Sequence, residues 1–318
     1  MTKAKEIYMG IDIGKTWLDV AIYGKEEVLH VRNDAEGIAQ LMEKLAEWKP
    51  QLIVMEASGG YECKVKDAMK SAGYRVSVVN PTRVRALAKA TGKLAKTDRI
   101  DAHLIAEYAF RIRPEPQEIK EEAEMRLAAL VSRREQLVNM RSAEQNRLDT
   151  IHSSMKADVR EHIEWISIQV KIIEEEMKQL GESISAWKEQ AKRLETIPGV
   201  GYITAITIIA EMPELGQLNR QKIAALAGLA PFNRDSGQKR GKRRIFGGRS
   251  GIRRVLYMAC LSAIKCNGMI RQTYNHLLSK GKMFKVAITA CMRKMLTIIN
   301  VMIRDQVDWR VPKALPVI

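Results

Sequence analysis

Four acidic side chains have the types and spacing that could do chemistry. Asp12 lies within an apolar run and Glu56 ends a second one, while Asp98 and Asp101 are three residues apart after a segment rich in Lys and Thr. A carboxylate at the end of a buried strand is costly unless it is compensated. Several carboxylates at one point repel each other unless cations lie between them. Oxygen ligands suit Mg²⁺, with Mn²⁺ as an alternative, so the four acids predict a two-metal site for phosphoryl transfer.

Taken one at a time, these acids have simpler interpretations. Asp12 begins a D-x-G-x-T pattern that resembles the phosphate loop of actin-like ATPases and sugar kinases, although no second such pattern follows. Glu56 could simply end a strand, Asp98 could cap a helix, and Asp101 could be a first-turn acid favoured by the helix dipole. The combination favours a shared metal site. Three polar neighbours are expected to be ordinary surface residues: Asp19, Glu62 and His103.

The elements that must position these acids predict an α/β domain over residues 1–115. Three short antiparallel strands are followed by helix, strand, helix, strand and two helices. The predicted bounds are 7–13, 17–23 and 28–31 for the first strands, 52–56 and 74–79 for the later strands, and 34–48, 61–72, 81–90 and 98–111 for the helices. This order is RNase H-like. It places the acids on the first strand, the fourth strand and the last helix.

Residues 116–195 predict a helical coiled-coil region. Its second half repeats apolar residues in alternating steps of four and three, which is typical of a coiled coil. The repeat consists of Val159, Ile163, Ile166, Val170, Ile173, Met177, Leu180, Ile184 and Trp187, extended by Ala191 and Leu194. Residues 149–158 are expected to hold the turn of an antiparallel hairpin. The alternatives are an oligomerising arm, which we favour, and a helical bundle inside one protomer.

Residues 196–318 predict a mainly helical C-terminal domain. Its first segment, helix–PGVG–helix around Gly199 and Gly201, resembles the helix-hairpin-helix motif, whose backbone N–H groups bind phosphate without reading sequence. The same glycines could serve only as a tight turn. Residues 226–229 are expected to be packed helix, and 256–264 and 284–303 are expected to be apolar core helices.

A basic, glycine-rich segment follows from Ser236 to Arg254. It predicts a loop that becomes ordered on a nucleic-acid backbone, through Lys239, Arg240, Lys242, Arg243, Arg244, Arg249, Arg253 and Arg254. Ser236 lies at its start. A serine is a weak nucleophile unless it is activated, so on physical grounds Ser236 could be only a turn residue.

The overall charge favours a polyanionic partner. The chain has 318 residues and a formal net charge of +16, with 53 Lys and Arg against 37 Asp and Glu. The four cysteines form no C-x-x-C pair and are expected to be reduced thiols of a cytoplasmic protein. Neither a signal peptide nor a membrane span is expected. Aromatic residues make up only 5% of the chain, which argues against broad base-stacking surfaces.

Several sequence blocks together resemble the DEDD transposases of bacterial insertion sequences, specifically the one-ten family, and the related Piv-type DNA invertases. The blocks are Gly10–Asp12, Met55–Gly59, Val79–Pro81, Lys96–Ala102, Ile197–Gly201, Ala227–Pro231, Ser236–Gly237 and Leu256–Met258. They follow the order of the family over nearly the whole chain. The T-D-x-x-D-A block and the pair of blocks around Pro231 and Ser236 are the most specific.

The resemblance implies a RuvC-like domain in which Asp12, Glu56, Asp98 and Asp101 bind Mg²⁺, a coiled coil, and a transposase domain with Ser236 as the nucleophile. The serine would join DNA covalently before strand exchange and religation, and it would reach the metals from another subunit. The implied partners are donor and target DNA, a structured noncoding bridge RNA, and further copies of the chain, as a dimer and as a tetramer built from two dimers.

The chain departs from many relatives after Ser236-Gly237. Gln238 and Lys239 follow where another serine is common, and the later segment contains Ser250, which is the rival nucleophile. Two other functions stay open. A RuvC-like nuclease would hydrolyse DNA junctions with water, and a non-catalytic scaffold would only bind nucleic acid.

Overall fold

The computed structural model describes residues 6–93, 98–116, 121–233, 241 and 243–310. The chain divides into two compact units, Met1–Lys120 and Glu121–Ile318. The first is a mixed α/β unit and the second is mostly helical, which confirms the predicted fold class at this level. The position of Ser236 lies outside the described residues.

A mixed sheet forms the centre of the first unit. Its strands lie in the order β3-β2-β1-β4-β5, with β1, β2 and β3 antiparallel and with β4 parallel to both β1 and β5. The strands are β1 (Tyr8–Ile13), β2 (Trp17–Ile22), β3 (Val28–Arg32), β4 (Leu52–Glu56) and β5 (Val76–Val79). Since β1 lies between an antiparallel and a parallel neighbour, its carboxyl end adjoins both the start of β2 and the end of β4.

Helices cover both faces of this sheet. They are α1 (Ala35–Trp48), α2 (Cys63–Ser71), α3 (Pro81–Ala90) and α4 (Asp98–Ile112). The Asp34 side chain caps α1 and the Asn80 side chain caps α3, each by accepting a backbone N–H. Apolar residues of α1 and α2 share a core with Met9 and Ile11 on one face. Residues of α3 and α4 cover the other face, which holds Tyr8.

Three helices begin the second unit: α5 (Glu122–Arg147), α6 (Lys156–Ser183) and α7 (Ser185–Glu195). Two ion pairs show that helices α5 and α6 pack antiparallel. Arg134 pairs with Glu174, whereas Glu144, which lies later in α5, pairs with His162, which lies earlier in α6. Their connection spans residues 148–155 and holds a short 3-10 helix, Ser153–Met155, where the turn was predicted.

The remaining helices of the second unit share one large apolar core, to which α5, α6 and α7 also contribute, whereas two short strands between them are exposed. In chain order, these elements are α8 (Tyr202–Glu211), α9 (Arg220–Leu226), β6 (Pro231–Phe232), β7 (Arg244–Ile245), α10 (Ser250–Cys266), α11 (Gly268–Ser279) and α12 (Phe284–Asp305). Helix α12 is long and apolar enough to cross a membrane by length and composition alone. One side of it is buried, and Met295, Leu296 and Ile299 there belong to the protein core.

Three local expectations were wrong. The heptad repeat does not lie on one continuous helix, because Ile184 is extended and separates α6 from α7. Of the residues 226–229 that were predicted as helix, 227–229 are not helical, since α9 ends at Leu226 and Gly228 takes a positive φ of 68°. The predicted basic loop is shorter than expected, because α10 begins at Ser250 and places Arg253 and Arg254 on a helix.

Candidate active site

Asp12 and Glu56 lie at the carboxyl ends of neighbouring parallel strands. Ile11 pairs with Met55 in the register of β1 and β4, so the next residue of each strand is an acid. Side chains alternate between the faces of a sheet. Ile11 and Met55 share the core on one face, so Asp12 and Glu56 belong to the opposite face. The Asp12 Oδ1 atom accepts the backbone N–H of Ile13 at 3.0 Å.

Helix α4 crosses this second face in direct contact with β1. A side chain at Gly10 would meet the backbone of α4, with a Cβ atom 2.5 Å from the Ala102 carbonyl oxygen. Phe110, near the end of α4, contacts Tyr8 at the start of β1. Helix and strand therefore run in opposite directions, and the first turn of α4 lies towards Asp12. That turn carries Asp98 and Asp101.

Asp101 is buried, with about 8% of its surface exposed. Its Oδ2 atom accepts a hydrogen bond from the Arg85 guanidinium at 3.1 Å. Its Oδ1 atom is also buried, and among the described residues it has no hydrogen-bond partner. A buried carboxylate oxygen without a partner is costly, and a bound cation is one way to compensate it. The carboxylate therefore fits a hard divalent metal such as Mg²⁺.

The described side chains do not by themselves form a metal site. Within residues 6–93, 98–116, 121–233, 241 and 243–310, no three His, Cys, Asp or Glu side chains lie close enough to hold one metal ion. Asp98 begins α4, but its side chain lies outside the described part of the chain. The fold thus brings three strand and helix ends together, and the sequence places an acid on each.

A hydrogen-bonded loop follows Glu56. The Ser58 hydroxyl and the backbone N–H groups of Ser58 and Gly60 all donate to Glu62 Oε2, at 2.6, 3.1 and 2.8 Å. Burial alone would raise the pKa of Glu62, but these hydrogen bonds, led by that of the Ser58 hydroxyl, lower it below the ordinary value. The prediction that Glu62 is an ordinary surface residue was therefore wrong. Its carboxylate organises the loop that follows Glu56, a candidate metal ligand.

Asn33 joins the two loops that follow the acidic strand ends. Its side-chain amide donates to the Gly14 carbonyl at 3.0 Å and to the Tyr61 carbonyl at 3.1 Å. Gly14 follows β1 and Tyr61 follows β4, so this one side chain ties together the segments after Asp12 and Glu56. The sequence analysis missed Asn33. Its position directly after a strand gave a weak signal, but its two acceptors are distant in sequence.

Asp19 is also more than a surface residue. It pairs directly with Asp12 across β1 and β2, and with His30 across β2 and β3. The Asp19 carboxylate and the His30 Nδ1 atom are 2.7 Å apart. The His30 ring stacks on Trp17, with centroids 4.4 Å apart. A row of polar and aromatic side chains thus leads from Asp12 to the edge of the sheet.

His103 lies apart from this row. It lines a groove of about 1120 Å³ with Tyr23 and Gly92, and Glu107 lies in the same groove. Tyr23 follows β2 and stacks on Phe110, at the end of the sheet opposite Asp12. The structure therefore gives His103 no role beside the acids.

The glycines of the PGVG segment have different surroundings. Gly199 takes a positive φ of 99°, and a Cβ atom there would lie 2.8 Å from the backbone of Ala263 in α10. Its lack of a side chain is therefore required by packing and turn geometry. Gly201 is exposed before α8, and a Cβ atom there would meet no atom within 4 Å. Open space at the start of α8 is compatible with a phosphate contact.

The basic residues after β6 also divide into groups. Ser236, Lys239, Arg240 and Lys242 lie outside the described residues. Arg243 and Arg244 are exposed. The other three guanidinium groups have partners within the protein: Arg249 pairs with Glu214 through two bonds of 2.6 Å, Arg253 donates to the carbonyls of Ala227 and Gly247, and Arg254 pairs with Glu135. Their first role is to fix this segment against α5, the end of α8 with the turn after it, and the end of α9.

Comparison with known proteins identifies the class. Residues 9–154 match a family model described as a transposase, of the DEDD type of the IS110 family. Residues 191–275 match the model described as transposase IS116/IS110/IS902 family. The two matches together cover most of the chain and include the acidic strand ends and the PGVG segment. The class is thus that of the transposases.

Relatives over nearly the whole length agree with the matches. The chain is 28% identical to the pilin gene-inverting proteins of Moraxella bovis and Moraxella lacunata, over 94% of this chain and 96% of theirs. It is 26% identical to the transposase for insertion sequence element IS1111A of Coxiella burnetii, over 73% of this chain and 70% of that protein. The chain belongs to the IS110 family of transposases, which confirms the resemblance seen in the sequence.

Proposed function

We propose that this transposase is an RNA-guided DNA recombinase that cleaves, exchanges and rejoins strands through a phosphoserine link to DNA. One observation carries the proposal. Asp12, Glu56 and the first turn of α4 meet at one end of the sheet, where Asp101 has a buried oxygen without a partner among the described residues. Such an oxygen has a physical reason to receive a metal.

Asp12, Glu56, Asp98 and Asp101 hold Mg²⁺, or Mn²⁺, in this proposal. When bound, the metal ions stabilise the attacking and leaving oxygens of a phosphoryl transfer. The chain supplies the geometry. Gly10 permits α4 to contact β1, Asn33 joins the two loops, and Arg85 holds one oxygen of Asp101. These contacts are consistent with a RuvC-like domain.

Ser236 supplies the nucleophile. Its Oγ atom forms a bond to phosphorus as the bond from phosphorus to a deoxyribose oxygen breaks. The hydroxyl proton leaves the serine, and the departing sugar oxygen takes up a proton. The phosphodiester energy is kept in the serine ester, so the reverse step can join a new strand without net hydrolysis. The names of the relatives, which describe gene inversion and transposition, fit a reaction that rejoins DNA.

Nucleic acid binds through the basic residues and the segment before α8. Lys239, Arg240, Lys242, Arg243 and Arg244 contact phosphates, as do the amides near Gly199 and Gly201. Arg249, Arg253 and Arg254 act first through their partners in the protein. The net charge of +16 supports donor DNA, target DNA and a structured bridge RNA as partners. We also propose a cytoplasmic location, as expected of a transposase.

Helices α5 and α6 mediate assembly of a dimer and, in the active complex, of a tetramer. Val170 and Ile166 on the predicted heptad are buried with Leu137 of α5, so the heptad face is used inside one protomer. A second apolar stripe on α6 is exposed to about half of each side chain: Trp165, Ile168 and Ile172. Its spacing of three and four residues suits a partner helix. The proposal divides the chain into three domains: the catalytic domain 1–115, the coiled-coil region 116–195 and the transposase domain 196–318.

The test uses purified protein, Mg²⁺, and labelled donor and target DNA with the RNA from the flanking noncoding region of its element. After denaturing quench, the protein–DNA adduct is isolated and its attachment site is mapped. We expect an adduct at Ser236 that EDTA abolishes. Ser236→Ala should lose the adduct, whereas Ser250→Ala, at the exposed start of α10, should retain it.

Other outcomes distinguish the remaining functions. Free cleaved ends without an adduct, and unchanged cleavage in Ser236→Ala, would identify a hydrolytic nuclease. Unchanged activity in Asp12→Asn would contradict any metal-dependent chemistry at this site. An adduct at Ser250 in place of Ser236 would move the nucleophile to α10.

A further inference from the structure

An exposed aromatic stack lies at the edge of the α/β unit. Trp17 is 40% exposed, and the His30 ring stacks on it with an interplanar angle of 23°. The Arg32 guanidinium lies over the Trp17 ring, 5.7 Å from its centroid. The His30 side chain is 52% exposed. Part of the Trp17 ring is therefore open to solvent and available to a flat ligand.

The register of the sheet places this stack beside Asp12. Asp19 is the direct cross-strand partner of Asp12, and Trp17 is two residues before Asp19 on the same strand. Trp17 therefore shares the sheet face of Asp12 as its diagonal neighbour, at a Cα separation of about 7–8 Å. A Trp side chain is long enough to reach over such a distance.

The stack is held in place by contacts to its own sheet. The Asp19 carboxylate holds the His30 ring at 2.7 Å, and β2 and β3 pair Trp17 with Arg32. Tyr61 is 49% exposed, and Asn33, which follows Arg32, holds the Tyr61 carbonyl beside Gly14. Trp17 is thus a positioned ring, which lowers the entropy lost when a flat ligand stacks on it.

We propose that Trp17 binds an unpaired nucleobase of the DNA strand whose phosphate lies at the acidic site. The proposal rests on the proposed function, because that function puts a DNA strand at Asp12. Every base has a π-face that can stack on an aromatic ring, so this contact tolerates many sequences. Arg32 beside the ring adds a positive charge that suits a phosphodiester chain. The stacked base keeps the neighbouring phosphate in register with the acids.

The experiment measures affinity for two single-stranded probes of equal length, a thymine oligodeoxynucleotide and its abasic counterpart. Both carry the same phosphates, so their difference in affinity isolates the contribution of the bases. The full-length chain is titrated by fluorescence anisotropy at a fixed salt concentration, because phosphate binding depends strongly on salt. Quenching of tryptophan emission is recorded in the same titration.

We expect Trp17→Ala to weaken binding of the thymine probe by about tenfold, the scale of one lost base–aromatic stack, with little effect on the abasic probe. Trp17→Phe should restore most of the difference and should lose part of the quenching. The matched control is Tyr23→Ala. Tyr23 is also partly exposed and aromatic, but it stacks on Phe110 at the other end of the sheet. The Tyr23→Ala variant should bind both probes as the wild type does.

An equal loss for both probes in Trp17→Ala would overturn the proposal, since it would show a backbone contact or a folding defect. So would unchanged binding of both probes, or stronger binding of a uracil ribo-oligonucleotide that depends on Trp17. The proposed function is tested separately by DNA cleavage in Asp12→Asn. Suppose that the wild type cleaves DNA but that Trp17→Ala does not change the difference in affinity between the two probes. The proposed stacking on Trp17 would then be refuted, while the proposed function would stand.

Discussion

Replacing Gly10 by Ala should separate helix α4 from the acidic strand ends. A Cβ atom at residue 10 would lie 2.5 Å from the Ala102 carbonyl oxygen and 2.6 Å from the Ile105 carbonyl carbon, which are backbone atoms that cannot rotate away. Ordinary contacts need about 3.5–4.0 Å. Helix α4 must therefore move away from β1 by roughly 1 Å to restore an ordinary contact distance to the new Cβ atom.

The shift has consequences for both stability and activity. Overpacking of this kind costs about 1–3 kcal/mol. Asp101 adjoins Ala102, so the same shift moves a proposed metal ligand. A displacement of about 1 Å can reduce the rate of a positioned reaction roughly 100-fold. We expect Gly10→Ala to lose about that much strand cleavage at saturating Mg²⁺, even at temperatures where the variant remains folded.

Cleavage rates and urea unfolding of the same preparations check this prediction. Gly268→Ala is the matched control, because a Cβ atom at Gly268 meets nothing within 4 Å and should leave both properties unchanged. Wild-type stability together with wild-type cleavage in Gly10→Ala would refute the reasoning. Loss of stability without loss of cleavage in the folded fraction would mean that the position of α4 does not limit the chemistry.

Three further predictions concern individual side chains. Arg85→Ala removes a charged hydrogen bond to Asp101 and should destabilise the first unit by about 1–2 kcal/mol in urea unfolding, with a smaller loss in excess Mg²⁺. The pKa of Glu62 is lowered, so its contribution to stability is present above its ordinary pKa and is lost as the pH falls through the lowered value. In Glu62→Gln, the melting temperature should therefore depend less on pH on the acid side. Burial, together with the nearby Cys291 thiol, raises the pKa of Cys260 to about 12, and burial raises the pKa of Cys291 as well. Iodoacetamide should therefore label only the exposed thiols of the folded chain, Cys63 and Cys266, as measured by mass spectrometry.

Each of these has an outcome that contradicts it. Equal destabilisation of Arg85→Ala with and without Mg²⁺ would argue against a metal beside Asp101. An acid profile of Glu62→Gln identical to that of the wild type would mean that the loop bonds do not contribute to stability. Rapid labelling of Cys260 in the folded chain would show that α10 opens readily.

The sequence predicted the local elements well where pattern and boundary signals agreed. Strand Leu52–Glu56 and helix Pro81–Ala90 have the predicted bounds. An apolar run that ends in an acid and a proline at a first turn are both local signals. Predictions failed where distant packing decided the result, as at Ile184, which separates α6 from α7.

The candidate site shows the same division. The positions of Asp12 and Glu56 at strand ends could be predicted, because alternation and run length are written in the sequence. The roles of Glu62 and Asn33 could not, since their acceptors and donors are chosen by loop geometry. Arg249 illustrates the reverse case, where a predicted nucleic-acid contact forms a paired bond with Glu214 within the protein.

By itself, the sequence determined the family, the mixed α/β and helical composition, the basic charge, and which acids could carry the chemistry. Only the tertiary structure decided that Trp17 lies diagonal to Asp12, that α4 contacts β1 through Gly10, and that an Asp101 oxygen is buried without a partner among the described residues. The physical reason is that strand register, helix approach and burial arise from contacts between residues far apart in the chain. Local residue patterns carry no direct information about such contacts.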